Sequence, residues 1–168
     1  WDMNRHLTDL GSAYLDRKNQ NELSHRYVLG LYQVMETLTE RFPQVLFESC
    51  SSGGGRFDAG MLYYMPQTWT SDNTDAVCRL KIQHGTSFLF PTVTMGAHVS
   101  ACPNHQVGRT TPLATRFAVA AAGNLGYELD LKKLSKEEKE EVREQIAEYK
   151  RRRRTVQFGT YYRLADSF

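Results

Sequence analysis

The stretch that most constrains the fold is Thr68-Trp69-Thr70-Ser71-Asp72-Asn73-Thr74-Asp75. Thr68, Trp69 and Thr70 are β-branched or aromatic and favour a strand. The run stops at an acid, and a helical pattern opens at Thr74 with Asp75 in its first turn. A strand that ends on a carboxylate and passes at once into a capped helix is a unit of α/β folds, where ligands meet the C-terminal ends of strands. Asp72 is therefore a candidate site residue. A comparable acid stands in Trp1-Asp2-Met3-Asn4-Arg5, where residues 1–4 read as the end of a strand.

Strand and helix patterns alternate along the rest of the chain. Residues 8–22 are polar and read as a loop, with Ser24 as a candidate cap for the next helix. Tyr27, Val28, Leu31, Tyr32, Val34, Met35, Leu38 and Phe42 recur at helical spacing until Phe42-Pro43 stops them. Val45 to Glu48 reads as a buried strand that runs into the small-residue loop Ser49 to Arg56. Met61 to Pro66 reads as irregular. Further strands are expected near Met95–His98 and Asn124–Leu129, and an apolar helix over Leu113–Ala122. Ser135-Lys136-Glu137-Glu138 is a capping box, and the helix it opens carries acids early and Arg151–Arg154 late, in accord with its dipole. Val156 to Tyr162 reads as a new β segment.

The candidate strand tips Asp2, Cys50, Asp72, His98 and Glu128 are 48, 22, 26 and 30 residues apart, 31.5 on average. A (β/α)8 barrel of about 250 residues repeats every ~31. A doubly wound sheet has a similar rhythm, but Gly53-Gly54-Gly55 lacks the G-x-G-x-x-G spacing of its ligand loop. The reading is therefore α/β: the C-terminal part, about strands four to eight, of a TIM barrel over residues 1–154. The start of a C-terminal β domain is expected over residues 155–168. With no initiator Met and a Trp1 that reads as mid-strand, the chain is expected to be a piece of a longer protein.

Composition excludes some classes. The net charge of +2 offers no broad basic surface for nucleic acid, and the four arginines read as a solvated helix end. No apolar run approaches the roughly 18 residues of a membrane span, and no signal peptide is visible. Cys50, Cys78 and Cys102 are an odd, widely spaced set, which fits a reducing compartment and predicts a cytoplasmic protein.

The chemistry suggested by these residues is that of a carboxylate pair on a sugar. Two acids flanking a glycosidic bond hydrolyse it with retention at about 5–5.5 Å separation and with inversion at ~6.5–9.5 Å. Trp1, Asn4, Trp69, Asn73, His98 and Tyr127 collect at the expected tips, and aromatic faces with polar groups suit a carbohydrate. On pattern alone, Asp2 and Asp72 can equally be loop or capping acids, and Trp1 and Trp69 core residues. His98, Cys102 and His105 have an H-x3-C-x2-H spacing without an evident fourth ligand, so no metal is expected. Cys50 reads as a pocket-lining thiol. The glycines after it allow backbone to approach a ligand.

These motifs are specific when taken together. Trp1-Asp2-Met3-Asn4-Arg5, Phe47 to Asp58, Tyr64 to Asp75 and Met95 to Ser100 resemble, in order and spacing, the bacterial α-galactosidases of glycoside hydrolase family 36. The resemblance implies a (β/α)8 barrel between β domains and a retaining mechanism without metal or nicotinamide. It implies Asp2 as nucleophile and Asp72 as general acid/base. It places Cys50 and Gly53 near the galactose and Asn4 in contact with substrate, beside the Trp1 of the same motif. The implied substrate is a terminal α-galactoside of the melibiose or raffinose type, and the implied assembly is a homo-oligomer, often a tetramer. A substrate-contacting Lys that precedes the motif Trp, and paired aspartates from an earlier strand, fall before residue 1, so this piece alone is expected to be inactive. A related retaining α-glycosidase or transglycosylase, and a non-catalytic sugar-binding barrel, are the competing readings.

In the full-length protein, Asp72→Asn is expected to slow hydrolysis of substrates with poor leaving groups by about 100-fold or more, and of activated aryl galactosides far less. Steady-state kinetics on both substrate types checks this. Equal losses would remove Asp72 from the acid role.

Overall fold

The computed structural model describes residue 8 and residues 10–165. The expectations for Trp1, Asp2 and Asn4 lie outside the described residues. Within them, a one-turn-per-three-residue helix over Arg17–Glu22 leads directly into α1 (Leu23–Arg41). The polar stretch expected as a loop is thus partly helical. Ser24 lies inside α1 rather than at its cap, and the N-cap position falls to Glu22 without a side-chain cap bond. Gln20 takes over the local ordering: its amide donates to the carbonyls of Ser12 and Leu15 and accepts from Ser12 N.

After α1 the helices and strands alternate as β1 (Glu48–Ser49), α2 (Ala59–Tyr64), β2 (Gln67–Trp69), α3 (Ala76–Thr86), β3 (Met95–Ser100), α4 (Leu113–Ala120), β4 (Asn124–Glu128) and α5 (Lys136–Phe158). The first part of the stretch read as irregular, 61–64, belongs to α2, which Asp58 caps by accepting from Met61 N at 2.8 Å. The expected β segment at Val156 is overturned. α5 continues through Phe158, and residues 160–165 form no strand. The capping box is present, with Glu138 N donating to Ser135 Oγ and Ser135 N to Glu138. Helix propensity within Arg151–Arg154 and the last turn outweighs the β-branched Val156 once the helix is nucleated.

The four strands form one parallel sheet in the order β1-β2-β3-β4. Each new strand adds beside the last, and the described order shows no reversal of the kind a doubly wound sheet has. Side-chain alternation divides the sheet into two faces. Thr68, Met95, Ala97 and Val99 are almost fully buried and face the helices. Ala97 and Val99 pack with Leu113, Phe117 and Ala120 of α4 and with Val142 and Tyr149 of α5. The other face carries Glu48, Gln67, Trp69, Gly96, His98, Gly126 and Glu128. A smaller core of Met35, Met61 and Met65 fastens α1 to α2. No helix among the described residues is long and apolar enough to cross a membrane.

Tyr149 ties α5 to the sheet through polar as well as apolar contact. Its buried hydroxyl donates to Gly123 O at 2.8 Å and accepts from Leu125 N at 3.3 Å. Tyr149→Phe leaves the buried Gly123 carbonyl and the half-buried Leu125 N–H without this partner. The full-length variant is expected to lose about 1–2 kcal/mol of stability, read as a lowered thermal midpoint. An unchanged midpoint would show that this hydroxyl is dispensable.

Candidate active site

The C-terminal ends of the parallel strands point to one side, and the loops there are built from their backbones upward. After β1, Ser51, Ser52, Gly53 and Gly54 all take positive φ, between 53° and 91°. This left-handed turn brings Gly53 down onto the tip of β2. A Cβ on Gly53 would lie 2.5 Å from Ser71 Cα and 2.7 Å from Asp72 N. Only a glycine fits there, for reasons of space and of φ alike. Gly53 and Asp72 are therefore brought together. Cys50, half-buried, enters the same loop directly from β1.

Asp72 is exposed just beyond β2, and its own backbone is gripped from a third strand. Gln106, in the loop after β3, donates to Asp72 O at 2.6 Å and accepts from Thr74 N at 2.9 Å. Asn104 Nδ2 donates to Thr74 Oγ1 at 2.9 Å, and its Oδ1 accepts from Gln106 N and Val107 N. Arg109 pairs with Asp75, whose side chain also caps α3 by accepting from Cys78 N at 3.0 Å. Arg116 holds the far end of this loop through Ser100 O and Thr111 O. The helix expected to open at Thr74 begins at Ala76 with Asp75 as its cap, and Thr74 is spent on Asn104. Asn73 accepts from Asp75 N at 3.0 Å, a local turn bond rather than a group aimed at a ligand.

On the sheet face turned away from the helices, Trp69 and His98 stack with ring centres 4.3 Å apart. Gly126 leaves room for the imidazole, since a Cβ there would meet His98 Cδ2 at 2.7 Å. His98 Nδ1 lies 3.5 Å from Glu128 Oε2. The guanidinium of Arg79, from α3, sits 3.9 Å from the centre of the Trp69 ring and donates to Thr70 Oγ1 at 2.7 Å. Burial pushes Arg79 down to about 10, against the opposing pull of the Glu128 and Asp72 charges, so it remains a cation at neutral pH.

Tyr127, one of the aromatics expected at the strand tips, points elsewhere. Tyr127 lies opposite Val99 on the helix-facing side and donates to Gln145 Oε1 of α5 at 2.8 Å. Burial, with the Glu141 charge, pushes its phenol up to about 12. Strand alternation decides this: Tyr127 has the opposite parity to Gly126 and Glu128. Cys102 Sγ is turned to Thr111 O at 3.7 Å, and no group of three or more His, Cys, Asp or Glu that could hold a metal exists among the described residues. Arg79, Asn104, Gln106 and Arg109 escape sequence reasoning as site builders, because nothing in their local sequence shows which strand tip they reach.

Comparison with known proteins bears on these motifs. The family model described as Melibiase matches residues 1–159. The chain belongs to the melibiase family. Its resemblance to the α-galactosidases of glycoside hydrolase family 36 is borne out across its full length. It is 65% identical over 168 residues to α-galactosidase AgaA of Geobacillus stearothermophilus, covering 100% of this chain and 23% of that protein. It is 59% identical over 164 residues to α-galactosidase 1 of Pediococcus pentosaceus, covering 98% of this chain and 22% of the relative. The fold superposes on the crystal structure of an AgaA variant in complex with raffinose with a TM-score of 0.95, covering 98% of this chain and 23% of that one. The chain thus spans about a quarter of the length of these melibiase-family relatives.

Gly53→Ala in the full-length protein is expected to push the β1 loop off the Asp72 backbone and to lower kcat/KM by about 100-fold or more, since a displacement of ~1 Å has such a cost. Kinetics together with a thermal melt checks this. Full activity in a folded variant would show that the close approach does not position Asp72.

Proposed function

We propose that the full-length protein releases terminal α-linked galactose from oligosaccharides of the melibiose and raffinose type, by double displacement with retention. The single observation that carries this reading is the seating of Gly53 on the backbone of Asp72 within a chain 65% identical to an α-galactosidase. A loop so placed supports a small, rigid sugar pocket beside an exposed carboxylate. The neighbour crystallised with raffinose and another AgaA variant crystallised with stachyose support the substrate class.

In this reading β1 to β4 are the fifth to eighth strands of a (β/α)8 barrel, and a further β domain begins after α5 rather than at residue 155. Asp2, ionised, attacks C1 of the galactosyl unit while Asp72 protonates the departing oxygen. Asp72 then takes a proton from water as that water opens the galactosyl ester of Asp2. Trp1, Asn4, Cys50 and Gly53 contact the sugar. In this reading the chain supplies both carboxylates, the Trp1 and Asn4 contacts and the thiol-and-glycine loop, and the rest of the pocket comes from the other three quarters of the protein. We also propose a cytoplasmic enzyme that works as a homo-oligomer, a tetramer by analogy with bacterial relatives.

The deciding experiment uses full-length Asp2→Gly with an aryl α-galactoside and sodium azide. Activity is expected to fall by about 1,000-fold or more and to recover with azide, giving β-galactosyl azide. Wild-type turnover by the variant without azide would exclude Asp2 as nucleophile.

A further inference from the structure

Arg79 is the least expected residue of the described chain. It belongs to α3 yet is only 2% exposed. Nη1 donates to Thr70 Oγ1 at 2.7 Å, while Nε and Nη2 have no hydrogen-bond partner among the described residues. A buried cation with two idle donors is costly, and an apolar side chain of similar volume would pack with less penalty. Among the described residues, the guanidinium bonds and stacks only at the β2 tip. Its guanidinium lies 3.9 Å from the centre of the Trp69 ring, the ring that stacks on His98. Thr70 and Trp69 stand two and three residues before Asp72. The negative charges that favour its cationic form are those of Glu128 and Asp72, both at strand tips.

We propose that Arg79 is a positioning residue for Asp72: from α3 it fastens Thr70 by hydrogen bond and Trp69 by cation–π contact, and so fixes the direction in which the β2 tip presents the carboxylate. The inference rests on the galactosidase reading and deepens it. Gly53 and Gln106 hold the Asp72 backbone from the two neighbouring loops, and Arg79 holds the two residues that lead into it. A lysine could keep the charge but could not lie flat on the indole and donate to Thr70 in one fixed geometry.

The test is kinetic, on the full-length enzyme, with raffinose and with 4-nitrophenyl α-galactoside, whose leaving group needs little protonation. Arg79→Met is expected to lower kcat/KM on raffinose by about 100-fold and on the aryl substrate by about 10-fold or less, because misplacing the acid hurts only the poor leaving group. Arg79→Lys is expected to fall between Met and wild type with the same asymmetry. Equal losses on both substrates would mean a structural role only, and losses within about 2-fold on both would mean none; either overturns the proposal. Where Arg79→Met does not fold, Thr70→Val gives the answer: about 5-fold loss on raffinose with the aryl substrate unaffected supports it, and any symmetric result overturns it. A wild-type protein that releases galactose from neither substrate would bring down the galactosidase reading itself, and this inference with it.

Discussion

The site side of the sheet depends on one buried charge. Asp75 is 1% exposed, and a carboxylate taken so far out of water must be paired. It answers with two partners on two elements: the backbone at the start of α3 and the guanidinium of Arg109. The first fixes where the helix begins, and so where the β2 tip has to turn. The second draws the long loop after β3 back over that turn, which carries Gln106 and Asn104 to Asp72 and Thr74. The Asp75–Arg109 pair works beside the buried Asn104–Thr74 bond and the Arg116 contacts, and losing it would weaken the grip on the Asp72 backbone from that side.

Around this anchor the sheet acts as a ruler. Parallel register sets Thr68 beside Met95, and Trp69 beside Gly96. It sets His98 beside Gly126. Small residues occupy the positions where large neighbours must lie flat: Gly96 beneath the Glu48–Gln67 pair, and Gly126 beneath His98. The helix-facing rows are apolar and dense, so the strands cannot slide by one residue without turning Ala97 and Val99 away from α4 and α5. A rigid frame beneath a polar face is what a pocket for a small, hydroxyl-rich ligand requires.

Much of this is legible in the sequence. The alternation of strands and helices, the α5 capping box and the acid at the end of β2 follow from local propensity and spacing. The family follows from motifs whose residues stand in fixed order. Other features are not legible. α2 hides in a short aromatic run whose helix is justified mainly by its Asp58 cap and the methionines it buries against α1. The extension of α5 to Phe158 overrides a β-like composition because a growing helix adds residues more cheaply than it starts. Tyr127 has the composition of a site aromatic, and only strand parity turns it toward Gln145.

By itself, the sequence determined the class of fold, the family and the two acids around which the chemistry is proposed. Those properties reside in residue types and short separations along the chain, which propensity and motif spacing encode. Only the tertiary structure decided that Gly53 abuts Asp72, that Trp69 carries His98 and Arg79, and that Asp75 and Arg109 meet across 34 residues. Such contacts join elements and loops that are far apart in the chain, and local sequence does not show which of them meet. They are set by strand register and by the need of buried charges for partners, and both become defined only when the sheet has formed.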